Sequence, residues 1–167
     1  MAGRFFQAAR TVGNGVPAIQ AFIADSAATF LRGAAVVVDT DGELIECGAD
    51  PAKIAGFALA GAGTAPGYQA ANNPTVITGR QNDVSVALGD ANTVFSCRGV
   101  NGGTDPVTPA LTNIGESYGI LKDADGIWTL DIAETTSKSF TIVDVDIDNK
   151  IFFVKMVQSF YQFAVAA

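Results

Sequence analysis

From residue 34 onward the chain alternates short apolar runs with turn residues, and within the runs apolar and polar positions follow the two-residue period of half-buried strands. Residues 34–39 form a β-branched run, Asp41-Gly42 is a turn dipeptide, and residues 43–47 alternate, which predicts a β-hairpin. Asp-Gly supplies the positive φ angles that a tight hairpin turn requires. After a turn at 48–51, residues 54–60 read as a short apolar strand. Further strands are predicted at 75–78, 84–88 and 93–97, with residues 89–92 turning the last pair. A second hairpin follows: strand 118–122, turn 123–126, and strand 127–132 with Trp128, Leu130 and Ile132 on one face, which places Trp128 in the core. Residues 139–147 place Phe140, Ile142, Val145 and Ile147 around a register change near Val143. Residues 148–150 turn the chain, and residues 151–165 supply one or two last strands rich in Phe, Val and Tyr.

Upstream the pattern is less decisive. The stretch 13–17 is a loop by its Gly, Asn and Pro punctuation and separates the first dozen residues, which read as an arm. The expected organisation is an N-terminal arm over 1–17 and a β-rich domain over 18–167. Residues 19–31 admit two readings, since Ile19, Phe22, Ile23 and Phe30 fit one helical face while a strand over 19–24 followed by a turn is equally allowed. Residues 61–74 and 99–115 read as long loops. About ten short strands with turns every 8–12 residues predict an all-β fold, a small β-barrel or β-sandwich with an extended N-terminal arm and long loops.

Composition supports a packed core and narrows the chemistry. The 167 residues are 49% hydrophobic and 16% charged, with 18 glycines and 11 phenylalanines, far from the composition of a disordered chain. The net charge is −7 and there is no histidine. Residues 1–32 carry Arg4, Arg10 and Arg32 against Asp25, so a mildly basic start precedes an acidic body. Such a balance repels a phosphate backbone, so no nucleic-acid partner is expected. Gln7, Arg10, Asn14 and Pro17 interrupt any secretory signal, and the apolar stretch 18–31 is too short and too polar to span a bilayer. A soluble protein made in the cytoplasm, without a membrane partner, is expected. Cys47 and Cys97 lack metal or redox spacing and read as buried thiols, with a disulfide between them left open.

Without histidine the commonest general base, the usual triad partner and most zinc sites are missing. Asp144, Asp146 and Asp148 share the start of a calcium-loop spacing, but Asn149 stands where glycine is needed and Lys155 where a bidentate Glu is needed. They read instead as the solvated face of a strand. Asp39, Asp41, Asp123 and Asp125 read as turn acids that bond their own backbone. The Gly-rich stretches at 61–67 and 99–103 lack the Lys-Ser/Thr ending and following helix of a phosphate loop. No catalytic residue, cofactor or metal is expected. Aromatic residues at the chain ends are the remaining candidates. Phe5 and Phe6 beside Arg4 and Arg10, in an arm with no core of its own, suggest docking on a partner. Phe160, Tyr161 and Phe163, with Phe152 and Phe153, suit either core packing or an intersubunit contact.

The order Ala27-Ala28-Thr29-Phe30-Leu31-Arg32-Gly33-Ala34-Ala35-Val36-Val37, then Asp41-Gly42-Glu43-Leu44, then Ala49-Asp50-Pro51-Ala52-Lys53-Ile54-Ala55-Gly56-Phe57-Ala58-Leu59, resembles tailed-bacteriophage head decoration (capsid cement) proteins. The resemblance covers residues 19–60 and extends more weakly through Gly115-Glu116-Ser117-Tyr118-Gly119-Ile120 and Asp125-Gly126-Ile127-Trp128-Thr129-Leu130-Asp131. It implies a β-barrel or β-sandwich that assembles as a homotrimer on the outer surface of the capsid, binds the major capsid protein and clamps neighbouring capsomers. It also favours strand over helix at 19–24. Two other functions compete: a carbohydrate-binding or host-attachment module using loops 61–74 and 99–115 with an exposed Trp128, and a small hydrolase using Asp144 and Asp146.

Overall fold

The computed structural model describes residues 6–12, 15–62, 83–103 and 105–163. Thirteen strands lie among them: β1 Gln7–Thr11, β2 Ile19–Ile23, β3 Ala35–Val38, β4 Leu44–Glu46, β5 Gly56–Ala58, β6 Asp83–Leu88, β7 Thr93–Cys97, β8 Gly99–Val100, β9 Pro106–Val107, β10 Ser117–Lys122, β11 Trp128–Asp131, β12 Phe140–Asp146 and β13 Ile151–Met156. They form an eight-stranded sheet in the order β1-β7-β13-β12-β10-β11-β8-β9 and a five-stranded sheet in the order β2-β6-β5-β3-β4. The fold is all-β and sandwich-like, as the hydrophobic pattern predicts. The smaller sheet brings its two outer strands together at one parallel bridge, Ala24 to Leu44, and goes no further, so no closed barrel forms.

Both predicted hairpins are present, and their separate loops are of the same kind. In Asp39-Thr40-Asp41-Gly42-Glu43 the Asp39 carboxylate accepts from the backbone N–H groups of Asp41 and Glu43. In Asp123-Ala124-Asp125-Gly126-Ile127 the Asp123 carboxylate accepts from Asp125 and Ile127 in the same way. Only the glycines take positive φ, +84° at Gly42 and +78° at Gly126. The sequence reading of a two-residue turn with positive φ at Asp41 is therefore corrected to a longer loop in which glycine alone takes the left-handed position. The register change read near Val143 is also present, between Ile142 and Asp144 in the β12–β13 ladder. It puts Phe140 and Ile142 in the core, and the outward residues after it meet solvent.

The core sits where the sheets face one another. Phe57 of the smaller sheet stacks on Phe6 with ring centroids 4.1 Å apart and planes 3° from parallel, and meets Phe95 edge-on at 5.0 Å and Phe140 at 5.7 Å. Burying each such ring contributes about 1.5–3 kcal/mol, with a further gain from the offset ring geometries. Gly56, next to Phe57, lets β5 and β6 pair closely within the smaller sheet. A Cβ there would lie 2.0 Å from the Ala87 carbonyl oxygen, so any side chain would force β5 and β6 apart.

The structure changes several expectations. The arm expected over 1–17 is, in its described part, a strand: Gln7–Thr11 pairs antiparallel with β7, and Phe6 is 2% exposed. The physical reason is that Phe6 has a partner far along the chain, Phe57, which supplies the core the arm was thought to lack. Residues 89–92 do not turn a hairpin, because β6 lies in the smaller sheet and β7 in the larger; Asp90 caps this crossover by accepting from Asn92 and Thr93 N–H. The loop read at 99–115 contains β8, which pairs parallel to β11, and β9. The region 19–24 is strand, as the resemblance implied. Cys47 and Cys97 are both buried and free, without a disulfide. The strand expected at 75–78 and residues 63–74 of the first long loop lie outside the described residues.

Candidate functional site

Of the seven contact residues expected from the sequence, the five described ones do not converge. Arg4 and Phe5 lie outside the described residues. Phe6 is core. Arg10 projects from the other face of β1, donates to Asp144 at 2.8 Å and places its guanidinium 5.1 Å over the Phe153 ring. Its charge is thus engaged within the chain. Phe160 and Tyr161 are partly buried against the core, and the Tyr161 hydroxyl donates to the Met156 carbonyl at 3.0 Å. Phe163 alone of the described aromatic candidates is open to solvent, 46% exposed, and its ring stacks on Phe22 at 5.6 Å.

The segment ending in Phe163 is a strap that ties the sheets together. After β13 of the larger sheet, Ile54, just before β5 of the smaller sheet, donates to the Phe160 carbonyl and accepts from Gln162 N–H. The Gln162 side-chain amide both accepts from Val38 N–H, at 2.7 Å, and donates to the Val38 carbonyl. A glutamine amide has one acceptor and two donors, so it satisfies a backbone unit as a neighbouring strand would. The strap brings Phe163 beside β2.

There the structure shows a surface that the sequence reading did not single out. β2 is an outer strand of the smaller sheet, and Ile19 and Ile23 are 55% and 39% exposed on it. Val16, just before it, is also exposed. No residue from Thr11 to Ala24 carries a charge. Outer strands normally carry lysines, prolines or bulges that prevent pairing with other chains, and β2 carries none of them between Ile19 and Ile23. The signal was present as a charge-free run with isoleucines four residues apart, but a pattern search for strands does not ask where a strand lies in its sheet.

The acidic groups are arranged for structure. Asp144 is held below the ordinary carboxylate range by its hydrogen bond from Arg10 and, secondarily, by the Val145 N–H. Asp146 is lowered by Asn149, whose side chain and backbone both donate to it. A general acid needs the opposite shift. Among the described residues no group of three or more potential ligands can hold a metal ion.

A cleft of about 330 Å³ lies beside Trp128, with Cys47, Asp50, Lys122, Asp131 and Glu134 around it. Two of its carboxylates are engaged: Asp131 accepts from Gly102 and Ala133 N–H, and Glu134 from Ser137 and Thr136 N–H, which lowers Glu134. The indole of Trp128, 2% exposed, donates to Glu46 at 2.9 Å, and the other Glu46 oxygen accepts from Lys122 at 2.6 Å. This bridge joins β4 of one sheet to β10 and β11 of the other. Burial, with Glu46 nearby, pushes the Cys47 thiol up to about 12, and burial raises Cys97 as well. Neither supplies a thiolate at neutral pH. A smaller cleft of about 210 Å³ opens beside Arg98, Pro106 and the Asp123–Gly126 turn.

Compared with family models, curated proteins and solved structures, the chain matches none.

Proposed function

We propose that this protein is a capsid decoration protein, which binds the outer surface of a phage head through the major capsid protein, assembles there as a homotrimer and stabilises the shell by bridging neighbouring capsomers. The observation that carries the reading is the β2 edge, which among the described residues pairs with no further strand along Ile19–Ile23, with exposed Ile19 and Ile23 and the Phe22–Phe163 stack beside it. Such an edge offers unpaired backbone groups and apolar side chains to another chain, and adhesion of this kind needs no cofactor or turnover. The resemblance over residues 19–60 takes in β2, β3, β4 and β5, four of the five strands of the sheet that presents this edge. A protein that binds only the assembled shell stabilises it by mass action. The competing reading as a glycan-binding module with an exposed Trp128 loses that feature, because the indole is in the core.

The test is sedimentation of purified heads, stripped of their decoration protein, with wild type and with the double variant Ile19→Lys, Ile23→Lys. Wild type should co-sediment and protect heads against heat; the charged variant should keep its melting temperature and lose co-sedimentation. Wild type that remains in the supernatant with every head preparation would remove the capsid reading. Binding by the charged variant equal to wild type would remove the role of β2.

A further inference from the structure

The Arg98 cleft is independent of the β2 edge. Arg98 follows β7, partly buried, on the sheet face that also carries Thr129. Its Nε is sealed from solvent and meets no acceptor. Among the described residues the ion pairs are Arg10–Asp144 and Lys122–Glu46, so the guanidinium of Arg98 forms no ion pair with a described carboxylate. This is unusual for an arginine so placed. Buried donors are nearly always paired, because leaving one dry costs as much as a lost hydrogen bond. Yet two carboxylates, Asp123 and Asp125, line the same cleft. Asp123 is held by its own hairpin loop, its carboxylate accepting from the N–H groups of Asp125 and Ile127. Cation and anions thus face a shared space of about 210 Å³ without closing on each other, with Pro106 and Ile127 as apolar wall.

The chemistry of that wall selects among ligands. An anion would gain Arg98 and meet two aspartates in a protein of charge −7. A cation would gain the aspartates and meet Arg98. An apolar molecule would leave all three dry. A hydroxyl group both donates and accepts, so a neutral polyhydroxylated molecule can accept from the terminal Nη groups of the guanidinium, its Nε being sealed, and donate to the carboxylates while its C–H face lies on Pro106 and Ile127. The space is below the about 300–1,000 Å³ of sites for drug-sized ligands and suits one small ring. We propose that the Arg98 cleft is a binding site for a single neutral sugar ring, with Arg98 donating to ring hydroxyls and Asp125 accepting from them.

The test is a two-dimensional amide NMR titration of the full chain with neutral hexoses and N-acetylhexosamines, and separately with acetate and inorganic phosphate. The expected result is a saturable shift of Gly99, Val100, Ile127 and Thr129 amides with at least one neutral sugar. Arg98→Gln and Asp125→Asn should each weaken it by about tenfold or more, the effect of removing one charged hydrogen-bond partner. Asp125 is on the surface, so its variant tests the site even if Arg98→Gln fails to fold. No saturable shift with any sugar, tighter binding of acetate or phosphate than of every sugar, or sugar binding unchanged in Asp125→Asn would each overturn the proposal.

Discussion

Two pairs of stacked phenylalanines, one near each end of the chain, have opposite fates. Phe6 lies on Phe57 at 4.1 Å, with both rings in the core. Phe163 lies on Phe22 at 5.6 Å and keeps nearly half of its surface in solvent. The ring chemistry is the same, and the planes are within 3° and 6° of parallel. The difference lies in what surrounds them. Phe6 enters between two sheets and also meets Phe140 at 5.4 Å, whereas Phe163 is delivered by a strap to the outside of an outer strand. An aromatic residue near a chain end is therefore not in itself a docking group; the sheets that close over it decide.

The largest expected effect breaks the buried pair. Phe6→Ala should cost about 3–5 kcal/mol, the range for a phenylalanine cut back to alanine in a packed core. At about 2–4 °C per kcal/mol for a chain of this size, the melting temperature should fall by roughly 10 °C. Deletion of residues 1–12 should be at least as damaging, because it removes β1 from β7 as well. A truncated protein that melts with wild type would show that Phe6 adds little to the core and that the stretch is an arm after all.

Why this was not legible in the sequence is instructive. Local grammar marked what local physics fixes: the Asp-Gly loops, the register change at Val143 and the apolar face of Trp128 and Leu130 are all where alternation and turn residues put them. The partner of Phe6 is Phe57, and nothing near residue 6 announces it. The same holds for the crossover after β6, since a turn that joins two sheets uses the same Asp and Asn caps as one that joins two strands. It holds also for the parallel pairing of β8 with β11 and for the Arg98 cleft, whose walls come from three separate stretches. Among the expected contact residues, Phe163 kept a surface position and Phe6 did not, and only sheet order tells them apart.

A double-mutant cycle sharpens the comparison. For Phe6 and Phe57 the coupling measured by denaturant unfolding should lie at the upper end of the about 0.5–1.5 kcal/mol found for aromatic pairs, and for Phe22 and Phe163 below it. Equal couplings would mean that burial adds nothing to the stack itself. Phe163→Ala alone should cost under about 1 kcal/mol, since half of the ring is already in water. On the proposed function it should nonetheless weaken co-sedimentation with heads more than Phe6→Leu does, so stability and binding would separate between the two ends.

The smallest expected effect is on the outer face of β1, where Arg10 covers Phe153 and bonds Asp144 across the surface. Both partners are about half exposed, so Arg10→Ala should cost no more than about 1 kcal/mol, and less in high salt. Its pH dependence identifies the cause. Arg10 holds Asp144 below its ordinary 3.8. A depressed carboxylate lends stability that is complete above its unfolded value and is lost as pH falls through the folded value. Wild type and Arg10→Ala should therefore differ at neutral pH and converge once Asp144 is protonated. A difference that persists undiminished in acid would assign the loss to the arginine stem over Phe153 rather than to the ion pair. That outcome would make packing, on both faces of β1, the reason the start of the chain belongs to the sheet.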